Sequence, residues 1–250
     1  MGDIIPNSFM KLLDKAIKNK KYLVFLDFEG TQYTHEMIAI GAVLATLNRK
    51  GEIKRMKKGY KAYVLAKNKI GSFVEKLTGI TQATLDKQGV SFAKAMKGLR
   101  EYCGSAFTRA TFVTFGNHDM KILGQSFSYN LDAPKDEIAQ IQHNYLDFSQ
   151  FISQFTKDSH NNPYSLSNYC AHYYVDREGI EHDPLFDAIN LAKLYDAFVK
   201  NPDIVLEDYL NTLNKMPHLP TPIRTVVNKL TMGENVTPEE YRKITEEYLK

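Results

Sequence analysis

Only two cysteines occur in 250 residues, Cys103 and Cys170, and they stand in no metal-ligand spacing. That argues against both a disulfide scaffold and a zinc knuckle. No stretch approaches the roughly 18 uninterrupted apolar residues of a membrane span, and the opening MGDIIPNSF has neither the basic start nor the apolar run of a secretory signal. No membrane partner is therefore expected, and the default address is the cytoplasm. Internal repeats and low-complexity segments are also missing. Neither sign of charge dominates: 32 Lys and Arg against 29 Asp and Glu give a net charge of +3, too small to identify a nucleic-acid binder. What remains is an ordinary globular composition, 43% hydrophobic and 24% charged, in a chain long enough for a large domain with an appendage.

Charge distribution says more than its sum. Between residues 49 and 69, Arg49, Lys50, Lys54, Arg55, Lys57, Lys58, Lys61, Lys67 and Lys69 face a single acid, Glu52. Such a strip serves either as a solvated hairpin edge that discourages sheet-to-sheet association or as an attractor of phosphates. The sequence leaves both open.

Local patterns predict an alternating α/β chain. Phe9, Leu12, Leu13 and Ile17 share a helical face behind an Asn7 or Ser8 cap. Tyr22 to Leu26 is apolar without alternation, the mark of a buried central strand. EMIAIGAVLATL (36–47) and GYKAYVL (59–65) read as the next two strands, with a turn at 48–51. Ser91 caps a helix carrying Phe92, Ala95, Met96, Leu99, Tyr102 and Cys103, and residues 111–115 return to strand. A helix from Asp119, a short strand near 144–147 and helices near 148–156, 165–174 and 185–199 complete the pattern. Past residue 200 the strand signals stop. Three amphipathic helices follow, two of them announced by Thr221-Pro222 and Thr237-Pro238. The expected division is thus 1–200, the main domain with its short N-terminal helix, and 201–250, a helical extension. Its apolar stripes must be covered by the domain, a second copy of the chain or another protein.

The chemistry-bearing residues lie in three separated segments. Asp27 and Glu29 close the first strand two residues apart, so both carboxylates project from one face at its end while Phe28 faces the other way. Carboxylates held that close repel, and a divalent cation relieves the repulsion. Asp119 follows the 111–115 strand and a Gly116-Asn117 turn, at the same sheet end as Asp27 if the two strands run parallel. Asp187 falls in the first turns of the helix starting near Leu185, with His182 in the loop before it. Four hard oxygen donors suit magnesium or manganese rather than zinc, and a two-metal site of this kind serves in-line displacement at phosphorus. His182 carries an imidazole, a side chain suited to the removal of a proton from water.

DFEG, then GNHD, then a histidine five positions before the last aspartate resembles the DEDDh branch of the DnaQ-like exonucleases, over roughly residues 20–200. LTGIT (77–81) resembles the segment with which that family lines its terminal-nucleotide pocket. VTFGNHDMKIL is most similar to the branch of RNA-trimming exonucleases of the histone-mRNA and small-RNA type. The resemblance implies an RNase H-like α/β fold with a mixed five-stranded sheet, its second strand antiparallel, flanked by helices. It also implies 3′-to-5′ hydrolysis of single-stranded RNA or DNA to nucleoside 5′-monophosphates with two Mg²⁺ or Mn²⁺ ions. Carried over residue by residue, Asp27, Glu29, Asp119 and Asp187 hold the metals, Asp27 bridging them, and His182 is the general base. Phe28, Gly30, Leu77, Thr78 and Ile80 become candidates for contact with the terminal nucleotide. Asp183 stands where the sister branch has tyrosine, which favours the histidine subtype. Pro184 departs from the small residue usual there, and its fixed backbone bears directly on His182. A polymerase-associated proofreading exonuclease and a non-catalytic nucleic-acid-binding module of the same fold are the alternatives.

Overall fold

The computed structural model describes residues 7–216 and 218–250, with side chains from residue 11 onward. The leading MGDIIP, and the side chains of Asn7, Ser8 and Phe9 expected to open the first helix, lie outside that description. The chain forms two compact units: Met1–Phe151 with Ser165–Lys200, and Ile152–Tyr164 with Asn201–Lys250.

The larger unit opens with α1 (Asn7–Ala16), where Leu13 is buried, as is Ile17 just beyond it, and Leu12 is exposed. Then come β1 (Tyr22–Gly30), β2 (Met37–Leu47), β3 (Ile53–Met56), β4 (Tyr60–Tyr63), α2 (Ser72–Thr78), α3 (Gln82–Gln88) and α4 (Phe92–Cys103). A 3₁₀ turn leads to β5 (Ala110–Thr114), α5 (His118–Tyr129), α6 (Lys135–His143), β6 (Tyr145–Asp147) and α7 (Phe148–Ile152). After the excursion to the second unit, α8 (Leu166–His172) and α9 (Pro184–Lys200) complete it.

The sheet is mixed, in the order β3-β2-β1-β5-β6, with β4 also on β2. β2 runs antiparallel to β1, while β5 and β6 run parallel to it. The sheet therefore has six strands where five were expected. The basic segment after the 48–51 turn makes an edge strand of its own, β3, before the chain breaks at Lys57–Gly59 and pairs again as β4. IKRM does not alternate, because an edge strand exposed along three of its four residues needs no apolar face.

β1 is central, with Leu23 to Leu26 fully buried. Its alternation assigns the two layers. Val24, Leu26 and Phe28 belong to one core with Phe92, Met96 and Leu99 of α4, Ile122 and Leu123 of α5 and Ile138 and Ile141 of α6. Phe25 faces the other layer, where its ring lies 5.6 Å from that of Tyr195 on α9. Asp27 and Glu29 continue the Phe25 face, so β1 delivers both carboxylates towards α9.

α9 spans the sheet lengthwise. At its far end the Tyr195 hydroxyl donates to the Gly51 carbonyl at 2.9 Å, and an Asp196 oxygen accepts from the Ile53 N–H at 2.7 Å. At its near end buried Pro184 occupies the first helical position, where its fixed φ and missing N–H are suited to a helix start. The Asp183 carboxylate accepts from the Leu185 N–H at 3.0 Å, capping the turn. This first turn rests directly on Gly41, the β2 partner of Asp27. A Cβ at Gly41 would stand 2.0 Å from the Pro184 carbonyl oxygen and 2.4 Å from the Leu185 nitrogen. Both are backbone atoms, so the helix must move. Gly41→Ala is expected to cost about 1–3 kcal/mol by overpacking and to lower activity by displacing His182 and Asp187. An unchanged melting temperature, read by circular dichroism, would refute this close approach.

In the second unit, Phe155 and Thr156 meet α10 (Pro202–Asn214): the Thr156 hydroxyl donates to Asp208 at 2.8 Å, Thr212 donates to the Phe155 carbonyl at 2.9 Å, and the Phe155 and Tyr209 rings lie 5.5 Å apart. α11 (Thr221–Thr231) and α12 (Pro238–Tyr248) follow. Thr237 caps α12 as expected, accepting from the Glu240 N–H at 3.2 Å. Thr221 does not cap α11: it is already helical, and its carbonyl takes the Thr225 hydroxyl.

Candidate active site

Because β5 is parallel to β1, the strand ends that carry Asp27, Glu29 and the Asp119 turn emerge on the same side of the sheet. Asp119 is in the first turn of α5, 6% exposed, and one of its oxygens accepts from the Phe28 N–H at 2.7 Å. That bond ties the α5 start to the peptide between the two β1 carboxylates. From the opposite layer, Asp187 enters on the first turn of α9 and accepts from the His182 N–H at 2.9 Å. His182 has φ +63°, a left-handed conformation that costs a non-glycine residue backbone strain. The Asp187 bond and the Asp183 cap hold it there. Pro184, the departure in this motif, thus serves as a helix start, and His182 still reaches the cleft.

That cleft, about 390 Å³ in volume, is lined by Asp27, Glu29, Asp119 and His182 together with Phe28, Gly30, Thr31, Gln32, His35, Phe73, Val74, Leu77, Phe115 and His118. Its electrostatics are those of a crowded anionic site. Burial, then the charges of Asp119, Glu29, Asp187 and Asp183, push Asp27 well above the ordinary carboxylate range. Burial and the charges of Asp187, Asp119 and Asp183 raise Glu29 to about 8. Burial raises Asp119 to about 7 against the opposing help of backbone N–H groups, and burial also raises Asp187.

Hard oxygen donors that resist ionisation only because they are buried together match a divalent cation of the magnesium or manganese type. Among the described residues, however, no group of three or more His, Cys, Asp and Glu side chains is drawn up in a metal-holding arrangement. Asp119 and Asp187 each give one oxygen to a backbone amide instead.

The nucleotide-contact candidates divide. Gly30 and exposed Leu77 line the cleft. Phe28 is among the lining residues, but it is only 4% exposed and belongs to the core, so it does not offer a stacking face. Ile80 is buried among Ile38, Ile70, Val74 and Leu85. The Thr78 hydroxyl donates to the Val74 carbonyl and accepts from Ile80, closing α2. Neither Thr78 nor Ile80 is brought to the cleft, because Gly79, at φ +69°, reverses the chain between Leu77 and Ile80.

Phe73 was not among these candidates. It lies on α2, is 62% exposed and lines the cleft. α2 is held beside the site by Gln32, whose N–H donates to Ile70 and whose side chain accepts from the Phe73 N–H at 3.3 Å. Buried Glu36 accepts from the Lys67 and Asn68 backbones at 2.6 and 3.0 Å, fixing the approach to α2. No local pattern in GSFVEKLTG marks Phe73, because its position depends on Gln32. His35 also lines the cleft, its ring edge-on to His118 at 5.2 Å.

Comparison with known proteins agrees with this geometry. Among solved structures, the nuclease domain of 3′hExo, a DEDDh family member bound to rAMP, is 21% identical with a TM-score of 0.57, covering 73% of this chain and 93% of that one. Exonuclease I of E. coli in complex with a dT13 oligonucleotide is 16% identical with a TM-score of 0.56, covering 78% and 44%. Pop2p of S. pombe, in its Mg²⁺- and Mn²⁺-bound form, is 16% identical with a TM-score of 0.51, covering 79% and 90%. Comparison with curated protein sequences gave no match. The profile of the RNase T exonuclease family matches residues 24–195, a span that holds every carboxylate of the cleft and His182, and more than half of the chain. On that match, and on the DEDDh motif order it encloses, this chain belongs to the RNase T exonuclease family.

Proposed function

We propose that the protein is a 3′-to-5′ exonuclease of single-stranded nucleic acid, acting on RNA ahead of DNA and releasing nucleoside 5′-monophosphates. The observation that carries the reading is the convergence of Asp27, Glu29 and Asp119 from β1 and α5 on one cleft with His182 at its wall, while Asp187 of α9, which is not among the lining residues, is near enough for its charge to act on Asp27 and Glu29. In this reading those four carboxylates hold two Mg²⁺ or Mn²⁺ ions. When bound, the ions supply charge stabilisation for an in-line displacement at phosphorus. His182 takes the proton of the attacking water as its oxygen bonds to phosphorus, and the 3′-oxygen of the penultimate nucleotide departs. Phe73 offers its exposed ring to the terminal base, and Leu77 packs beside it. The solved structures of similar fold include complexes with rAMP, with a histone mRNA stem-loop and with dT13, and both nucleic acids are represented among them. The preference for RNA rests on the motif resemblance.

Matched 3′-labelled and 5′-labelled RNA and DNA oligomers, incubated with and without chelator, test the proposal. Mononucleotides should leave the 3′ end only, only with metal, and faster from RNA. Metal-dependent binding without release would instead identify a non-catalytic module. Loss of the base has its own signature: His182→Ala should lower kcat about 10²-fold with KM little changed. A kcat within threefold of the parent would remove His182 from the reaction.

A further inference from the structure

The cations that the sequence concentrates between residues 49 and 69 acquire a direction in the fold. β4 and β3 pair in tandem along the same side of β2, β4 against Ala39–Ala42 and β3 against Ala45–Leu47. Gly41 is the partner of Asp27 on one side and of Lys61 on the other, so β4 is level with the catalytic carboxylates. β3 is level with Tyr22 and Leu23, at the opposite end of the sheet. The exposed side chains of Lys58, Lys57, Arg55 and Lys54 step from one end to the other, and the turn adds Arg49 and Lys50.

The strip ends at a cavity of about 520 Å³. Its walls include Lys20, Lys21, Arg49 and Lys54 with the amides Asn19 and Asn48, and a single acid, Asp14. The Leu47 N–H donates to the Lys21 carbonyl at 2.9 Å, joining the β1 and β2 sides of the cavity. Among the described residues none of these four cations is in an ion pair. The one acid of the strip, Glu52, accepts from the Asn48 amide at 2.6 Å. Elsewhere along the strip Lys61 is committed to Asp183 at 2.6 Å, and Lys57 sits over the Tyr102 ring and bonds to the Tyr102 carbonyl. Protection of an exposed sheet edge accounts for charges on β3. It does not account for Lys20 and Lys21, which precede the central strand.

We propose that this cavity is a second phosphate-binding site, which grips the backbone of the same nucleic-acid strand upstream of its 3′ end. The proposal rests on the exonuclease reading of the cleft. Six residues of strand from Lys21 to Asp27 place the cavity roughly 20 Å from the carboxylates. A short oligonucleotide in the cleft cannot reach it, and a long strand can. Interactions of this kind go to phosphate, so they position the strand without reading its bases.

The test uses the full chain carrying K21E, R49E and K54E together, and a second variant carrying K21Q, R49Q and K54Q should the charge reversals impair folding. Binding of a long 5′-labelled single-stranded oligonucleotide is measured in chelator, so that no hydrolysis occurs, and dinucleotide turnover is measured with Mg²⁺. The dissociation constant for the long strand should rise at least about tenfold, and its dependence on log salt should become shallower by about 2, at about 0.7 for each phosphate left without its cation. Dinucleotide turnover should be unchanged. A long-strand dissociation constant within twofold of the parent, at unchanged salt dependence, overturns the proposal whether or not the protein hydrolyses anything. Failure of the parent to cleave the dinucleotide counts against the exonuclease reading instead, and the binding result still decides the cavity.

Discussion

Asp27→Asn will lower turnover on a single-stranded oligonucleotide by at least about 10³-fold while raising the melting temperature of the metal-free protein. Both effects have one cause. The Asp27 carboxylate is the group on which the charges of Asp119, Glu29, Asp187 and Asp183 converge. An amide of the same shape removes the centre of that repulsion and a hard oxygen donor at once. Sites tuned for reaction commonly carry such a stability cost, recovered when the reactive group is neutralised. For a domain of this size each kcal/mol recovered is worth about 2–4 °C. Turnover assays and thermal melts in chelator on one preparation measure both quantities. Turnover within tenfold of the parent, or a lower melting temperature, would contradict this account of the cleft.

Mg²⁺ at about 100 times its dissociation constant should stabilise the folded state by about 2.7 kcal/mol, a rise in melting temperature of roughly 5–10 °C. The pH dependence without metal follows from the raised carboxylates. Glu29 is pushed up to about 8 and Asp119 to about 7, whereas in the unfolded chain both return to the ordinary range near 4. Between that range and about pH 8 the folded protein holds protons that the unfolded chain has released, so its stability falls as pH rises. Chelated protein should therefore melt about 5 °C or more lower at pH 8.5 than at pH 6. With saturating Mg²⁺ the difference should shrink, because the cation takes over the role of the protons. A chelated protein that gains stability with pH, or no response up to millimolar Mg²⁺, would be incompatible with a buried anionic cluster.

The parts legible in the sequence were those whose burial leaves a local imprint. β1 is apolar on both faces, α4 repeats its large side chains at helical spacing behind Ser91, and both lie where the patterns put them. The carboxylate set was legible for the same reason, since each acid ends or begins an element that could be recognised. β3 was not, because IKRM is an exposed edge whose pairing comes from β2 rather than from its own pattern. α6 was missed because only Ile138 and Ile141 are buried in a polar stretch. The side of LTGIT that faces the cleft was unreadable, since it depends on one left-handed glycine. Phe73 depends on Gln32, 41 positions away in the chain. The grouping of 152–164 with the tail is likewise non-local.

The positive φ of His182 has a practical bearing on how the reaction should be stopped. Asparagine tolerates that backbone region better than alanine does. His182→Asn should preserve the loop and the amide offered to Asp187 while removing the imidazole. It is therefore the better choice for trapping an uncleaved strand, whereas His182→Ala adds backbone strain at this position to the loss of the imidazole.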